Sequence, residues 1–339
     1  IVASATADSI NAGGGDDTVQ GTGGDDVMIG GVGTDTLDYS NVTGPMTINL
    51  VTGSVTDARA SSVAGAQGSD TISEFENILG GQGADTIIGD DAWNLIQGGA
   101  GADSISGGGG QDTLIGGDGN DILSVITNAT VWSGQVSLTL QGGVGIDHLT
   151  VTDSQAGNAM YQSTSYGVAN ASLDGGAGDD VLSGSGVLQL SMTGGTGADK
   201  FVLSAQQYRT LVEGSRTFNS SMLAMPTPAD LTTIAAAATV ITDFTAGAGQ
   251  DVLDVSDLLR NGTSGFDGSN PFTSGYLKLE QSGADTQVVF DADGAAGLGK
   301  SGVVIAVLQN VNAADLVAAN FTPAYPPDGS DPVPQTLTG

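Results

Sequence analysis

The chain has 339 residues and a formal charge of −31, yet only 13% of its residues are charged. Its 38 acidic side chains face seven basic ones, so no positive stripe exists to replace counterions, and nucleic-acid binding is excluded. Cysteine is absent, and no apolar run approaches the roughly 18 residues of a membrane-spanning helix, so neither a disulfide scaffold nor a transmembrane segment is expected.

Residues 1–38 read as four consecutive nine-residue units, each a glycine-rich turn followed by a short strand. The first is degenerate but keeps Asp8 and Ile10. The units starting at Ala12 and Gly21 have imperfect glycines and keep Asp17 and Asp26. The unit starting at Gly30 carries the full pattern Gly-Gly-x-Gly-x-Asp, closing on Asp35. One position per unit is apolar and reads as the inside of the strand: Ile10, Val19, Met28 and Leu37, spaced by nine. The glycines permit φ > 0, so six residues can coil tightly with carbonyls pointing inward, and the Asp adds a carboxylate to that ring. Oxygen-only donors in a flexible loop suit Ca²⁺ better than Mg²⁺. Only Glu74, Glu76, Glu213 and Glu280 among the acidic residues are glutamates, a bias that favours turns and oxygen-donor sites over a merely solvated surface.

Residues 39–70 interrupt the register with strand-like alternation at Met46-Thr47-Ile48-Asn49-Leu50-Val51 and a flexible stretch around 58–68. Asp35 and Glu76 lie 41 residues apart, which nine does not divide, so the registers before and after are separate; one continuous solenoid with an inserted loop stays open. From 71 to 124 the period holds for six units, with Ile78, Ile87, Ile96, Ile105, Leu114 and Leu123 inside. Full turns starting at Gly80, Gly98, Gly107 and Gly116 close on Asp85, Asp103, Asp112 and Asp121, while Asn94 holds the sixth position of the imperfect one between. Over 125–202 single turns starting at Gly142, Gly175 and Gly194, closing on Asp147, Asp180 and Asp199, follow longer strands. This predicts a wider solenoid with metal turns along one edge only, binding fewer or weaker ions.

Past Leu203 the repeats stop. A short helix is expected from Pro228 toward Ala238, and a strand meander at 276–280, 286–291 and 303–308. Residues 203–322 read as a β-rich cap over the open solenoid end, and 323–339 as a proline-rich tail. Residues 294–301 fit the P-loop spacing literally, but the β-rich 303–307 follows instead of a helix, so a hairpin loop is the better reading. Asp291-Ala292-Asp293-Gly294 resembles the start of an EF-hand loop without its closing Glu, and reads as a turn. His148, the only histidine, reads as an ordinary edge residue. No Gly-x-Ser-x-Gly elbow occurs and no carboxylate pair stands out, so no catalytic residue is assigned.

The nonapeptide resembles the RTX calcium repeat, a parallel β-helix repeat, and the chain is similar to the RTX family of calcium-dependent, type I secreted bacterial proteins. The resemblance implies an all-β, right-handed parallel β-roll in which two units make one coil and turns of units n and n+2 stack with Ca²⁺ between them. Asp17 then pairs with Asp35, Asp85 with Asp103, Asp103 with Asp121, and Asp112 with Asn94, the last a weaker site. Asp180 and Asp199, 19 residues apart, share a metal, and Asp8, Asp26 and Asp147 are further ligands. Backbone carbonyls at Gly30, Val32, Gly80, Gln82, Gly98, Ala100, Gly107, Gly109, Gly116 and Asp118 complete the shells. The family is exported through a C-terminal signal, which accords with the lack of a visible N-terminal signal peptide; Ile1 without a Met points to a fragment or processed chain.

One buried apolar residue per nine is a thin core and stacked carboxylates repel, so folding is expected to be coupled to metal. Filling about eight sites would move the charge from −31 to about −15. The expectation is a non-catalytic, extracellular calcium-binding region of an adhesin or surface-layer protein at the bacterial cell surface. Its partners would be calcium ions, the type I secretion machinery during export, and the cell surface or further copies of the chain. The alternative is the secretion and folding module of an RTX enzyme (a protease, lipase or epimerase) whose catalytic domain lies upstream.

Overall fold

The computed structural model describes residues 1–57, 68–127, 136–153, 168–187, 189–217, 238–263, 265–295 and 302–330. The chain winds back and forth between two large sheets, one of 13 strands and one of 12, paired mainly in parallel. Each strand pairs with the strand two units away, as a β-roll requires. Leu95–Ala100 pairs with Thr113–Asp118, placing Ile96 beside Leu114, and Ser104–Ser106 pairs with Ile122–Thr127, placing Ile105 beside Leu123.

Because side chains alternate across a strand, a single apolar position per short strand faces inward, and the coils stack these positions into two rows. In the twelve-stranded sheet the row runs Val19, Leu37, Ile78, Ile96, Leu114, Leu140, Leu173, Met192, Ile241 and Leu308, all fully buried. In the other it runs from Ile48 through Ile87, Ile105, Leu123, Leu149, Leu182, Phe201 and Leu253 to Phe321. The wider coils add a second inward row, with Leu138, Ala171 and Leu190 in one sheet and Val125 and Val151 in the other. Opposite them Gly184 leaves room that Leu190 fills; a Cβ there would lie 2.3 Å from Leu190 Cδ2.

The two nine-residue registers join into one solenoid. Thr36–Asp38 pairs directly with Asn77–Leu79 in the twelve-stranded sheet. In the other sheet the inserted coil contributes three strands where its neighbours contribute one. Met46–Asn49, Ser54–Asp57 and Ser69–Ser73 form an antiparallel meander, whose first strand pairs with Thr86–Ile88 and whose last pairs with Val27–Val32. Two extra strands widen that sheet by about 10 Å relative to its partner. The buried side chains of Tyr39, Met46, Ile48, Val55, Ile72 and Phe75 fill the resulting wedge.

Both sheets run on beyond Leu203. Thr239–Ile241 and Val252–Asp254 continue them in parallel, and Leu277–Ser282, Asp285–Phe290 and Val303–Leu308 close the twelve-stranded sheet as an antiparallel meander. Among the described residues, two α-helices, α1 (Ala205–Thr217) and α2 (Ser256–Asn261), lie at this end. The side chain of α1 residue Gln207 pairs with both the amide and the carbonyl of Val187, and Tyr208 packs edge-on against Phe290 at 4.8 Å. Phe272 meets Phe321, the last residue of the inner row, at 5.0 Å. Helix α1 has no counterpart in the sequence reading. The helix expected before Ala238, most of the P-loop-like segment and the end of the tail lie outside the described residues. His148 sits exposed at the start of the strand His148–Asp153.

Candidate metal sites

The turns stack along two edges of the roll. On the first edge, which leads into the thirteen-stranded sheet, the sixth-position carboxylates form a ladder. The amide of Asp85 donates to Asp103 Oδ1 at 2.7 Å, Asp103 to Asp121 at 2.8 Å, Asp121 to Asp147 at 2.7 Å, Asp147 to Asp180 at 2.7 Å, and Asp180 to Asp199 at 3.0 Å. The ladder does not stop at the last repeat, since Asp199 donates to Asp251 Oδ1 at 2.9 Å. Before the inserted coil the same bond joins Asp8 to Asp26 and Asp26 to Asp70. On the second edge Asp17 donates to Asp35, Asp35 to Glu76 Oε2, and Asn94 to Asp112. Every pair implied by the resemblance is therefore brought together, one residue's amide meeting the other's carboxylate.

These bonds use one oxygen of each carboxylate. The other, Oδ2, is buried and has no hydrogen-bond partner in Asp26, Asp35, Asp103, Asp112, Asp121, Asp147 and Asp180. A buried charge left unpaired costs far more than a hydrogen bond returns. Burial accordingly pushes the carboxyls of Asp26 and Asp147 up, and raises Asp103 and Asp180 to about 7, Asp112 to about 8 and Asp121 to about 6. Asp199 rises to about 6 for the same reason, with the carboxylates of Asp251, Asp243 and Asp179 adding to it.

The glycines define what stands opposite the orphaned oxygens. A Cβ on Gly98 would lie 2.3 Å from Asp103 Oδ2 and 2.8 Å from the Gly116 carbonyl oxygen. On Gly116 it would lie 2.3 Å from Asp121 Oδ2 and 2.5 Å from the Gly142 carbonyl; on Gly142, 2.4 Å from Asp147 Oδ2 and 2.5 Å from the Gly175 carbonyl. The turn starting at Gly175 repeats the arrangement with Asp180 and Gly194. Each first glycine thus keeps open a small cradle walled by its own turn's carboxylate and the next turn's carbonyl. Hard oxygen donors and a missing positive charge are the requirements of a calcium ion, and the residues fit one. Among the described residues no three His, Cys, Asp or Glu side chains group as a chelating cluster, so carbonyls must make up most of each shell. The cradles starting at Gly142 and Gly175 in the wider coils have the same walls as those starting at Gly98 and Gly116.

Several third-position residues also tie one coil to the next. The carbonyls of Val32 and Asp118 accept the amides of Gly15 and Gly101, and the amides of Gln82 and Gly109 donate to Val42 and Asp90. The Ala100 amide likewise bonds the Gly81 carbonyl, and such amide bonds do not use the residue's own carbonyl. The Asp118 side chain is exposed. In the turn starting at Gly80, the Gly81 amide donates to Asp85 Oδ2 at 2.7 Å, and in the next unit the Asp90 amide donates to Asn94 Oδ1 at 3.0 Å. At these two turns an N–H points at the side-chain oxygen where a cation is needed. Asp8, half-buried at the N-terminal end, is met by the Ser4 amide and hydroxyl at 2.6 and 2.7 Å. At the second-edge turns a Cβ on Gly107 would meet Asp112 Oδ2 at 2.5 Å, and one on Gly30 would lie 2.0 Å from the Glu74 carbonyl.

Asp70, Glu76, Asp243 and Asp251 join these edges although the sequence assigns none of them as a ligand. Asp243 clamps the last full turn, accepting the amides of Gly194 and Gly195 at 2.9 and 2.8 Å. A partial signal existed for Asp251, since Gly247-Ala248-Gly249-Gln250-Asp251 preserves the second half of the turn motif. Glu76 keeps the nine-residue spacing to Asp85 with a longer acid in place of Asp, whereas Asp70 carries no such signal because the insertion separates it from its turn.

The family model of the RTX calcium-binding nonapeptide repeat matches the chain in four copies, at residues 2–37, 75–96, 88–123 and 169–186. No curated protein matches the chain.

Proposed function

We propose, from the premise that this chain is an RTX calcium-binding repeat protein, that it is a non-catalytic extracellular module. Calcium triggers its folding after type I export, and it serves as a structural part of a bacterial cell-surface adhesin or surface-layer protein. The observation that carries the reading is the ladder of buried Oδ2 atoms without a partner, of which those of Asp103, Asp121, Asp147 and Asp180 face a next-turn carbonyl across a glycine cradle. Without a cation these carboxylates must either protonate or stay solvated in an unfolded chain. At cytosolic calcium the acidic chain is held open and exportable; outside, ions at about 10⁻⁴–10⁻³ M fill extracellular-type sites and close the roll.

The Oδ2 atoms and turn carbonyls hold the ions, the Oδ1 atoms fix coil register, and the inner apolar rows close around them. No helix among the described residues is long and apolar enough to cross a membrane. Circular dichroism in EGTA and then in millimolar Ca²⁺ tests the coupling; an unchanged β signal on chelation rejects it. Fractionation of the producing cells, with antibody against this region, tests the surface role. Detection only in the cytosol rejects that role.

A further inference from the structure

Along the first edge the amides of Gly21, Tyr39 and Gly80 make the same coil-to-coil bond, to the carbonyls of Asp38, Leu79 and Gln97. Tyr39 therefore holds the position that belongs to the first glycine of a turn. Its side chain is 1% exposed. A Cβ on Gly21 would meet Tyr39 Cε1 at 2.1 Å, and the three atoms nearest that point all belong to the tyrosine ring. In the regular turns this space is bounded by a carboxylate and a carbonyl; here a phenol fills it.

The far end of the inserted coil is equally specific. Asp70 Oδ1 accepts the Asp26 amide at 2.9 Å, the ladder bond of a sixth-position residue. Its Oδ2 accepts the Tyr39 hydroxyl, 31 residues earlier in the chain. The inserted coil thus splits the ladder bond between its two ends: the Met46 amide, just after the turn that starts at Tyr39, donates to Asp85 Oδ1 at 2.8 Å, while Asp70 accepts from Asp26, and Tyr39 and Asp70 are joined through their side chains. The next two turns also need no cation at their side-chain oxygens, since Asp85 and Asn94 are satisfied by Gly81 and Asp90. Finally, the inserted coil is dense in buried apolar side chains: Met46, Ile48, Val55 and Ile72 lie on strands held by antiparallel hydrogen bonds, and Val42 and Phe75 are buried on the segments beside them, continuous with the core of the roll.

We propose that the inserted coil is a calcium-independent hub, in which the Tyr39 phenol plugs the turn and its hydrogen bond to Asp70 takes the place of a cation. Calcium-dependent arms extend from it on both sides. The hub rests on the calcium-coupled folding read above, and a phenol proton supplies here the positive end that an ion supplies elsewhere. Asp26 Oδ2 stays unpaired on this step, with the ring standing where an opposing carbonyl would be.

Hydrogen exchange of the full chain in EGTA, read by mass spectrometry, tests the hub. Peptides from 36–57 and 69–79 are expected to exchange at least about tenfold more slowly than peptides from 95–123. Equal, fast exchange in all of them overturns the hub while leaving calcium-coupled folding intact. Equal, slow exchange overturns both. Tyr39→Phe keeps the plug and removes the hydroxyl; it is expected to cut hub protection in EGTA several-fold while calcium-loaded protection stays unchanged, and an unaltered EGTA pattern overturns the role of the phenol bond. Tyr39→Gly restores the repeat's own residue and opens the cradle beside Asp26. Native mass spectrometry in calcium is expected to count one more ion than in the wild type, and an unchanged count overturns the plug.

Discussion

Asp103 donates its amide to Asp121 Oδ1 at 2.8 Å, and the Oδ2 of each is buried without a partner. One oxygen of every such carboxylate sets the register of the coil behind it, and the other is left for a cation. The two tasks are separable by chemistry, because an amide oxygen can still accept the register bond whereas an amide nitrogen cannot ligate Ca²⁺.

Asp121→Asn should therefore keep the coil and weaken the ion. The calcium midpoint, followed by titration calorimetry, is expected to rise about tenfold, or ~1.4 kcal/mol. Asp118→Asn, on an exposed side chain three residues away, should stay within about twofold. Equal effects at the two positions would show that general charge, not the buried oxygen, attracts calcium.

Gly116→Ala probes the cradle by filling it. The new methyl group would lie 2.3 Å from Asp121 Oδ2 and 2.5 Å from the Gly142 carbonyl, the space a cation needs. Gly13→Ala is the contrast, since Gly13 has a φ of 103° but nothing within 4 Å of the added carbon. That change should cost about 1–2 kcal/mol of stability through backbone strain alone and leave calcium affinity within about twofold. Gly116→Ala should raise the calcium midpoint by more than about tenfold, with one ion fewer at saturation.

The period of nine, together with the two-unit coil that the RTX resemblance implies, made the tight roll legible, since Ile96 beside Leu114 and Asp103 beside Asp121 follow from stacking every second unit. What it hid were the places where long-range stacking replaces local spacing. Glu76 joins the ladder 41 residues after Asp35 because its longer side chain reaches the Asp35 amide, and its nine-residue spacing to Asp85 does not mark that reach. Asp70 is found only by pairing the strand Ser69–Ser73 with Val27–Val32. Helix α1 and the antiparallel meander of the inserted coil depend on space created by neighbouring coils, which a repeat pattern does not encode. The self-satisfied oxygens of Asp85 and Asn94 depend on how individual turn amides are oriented, and the full motif starting at Gly80 is indistinguishable in sequence from that starting at Gly98.

Metal-free stability should fall as pH rises. Burial raises the carboxyls of Asp103, Asp112 and Asp180 to between about 7 and about 8, against roughly 3.9 in an unfolded chain. Below pH ~4 both states are protonated and no penalty exists. Between pH ~4 and ~8 the unfolded chain releases protons that the folded chain retains, so the folded state loses ground continuously, and the loss is complete above the folded values. In EGTA, the β signal should therefore be larger at pH 5 than at pH 8. In calcium the order reverses, because protons compete with the ion for the same oxygens, and the calcium midpoint should rise as pH falls from 8 to 5. A metal-free signal that grew with pH would contradict the buried-carboxylate account.

Leu114→Ala tests how far the thin core depends on the ions. Leu114 is fully buried between Ile96 and Leu140 in the inner row of the twelve-stranded sheet. Its strand carries a single apolar side chain inward, so neighbours have little freedom to close the gap, and the loss in calcium should be about 2–5 kcal/mol. Thermal unfolding in saturating Ca²⁺ measures that loss as a lowered midpoint. In EGTA the same substitution should leave the circular dichroism of the chain unchanged, because this part of the roll is already open and the leucine already exposed to water. A comparable destabilisation in EGTA would mean that the apolar row holds these coils together without calcium, and that the ions bind a roll already formed.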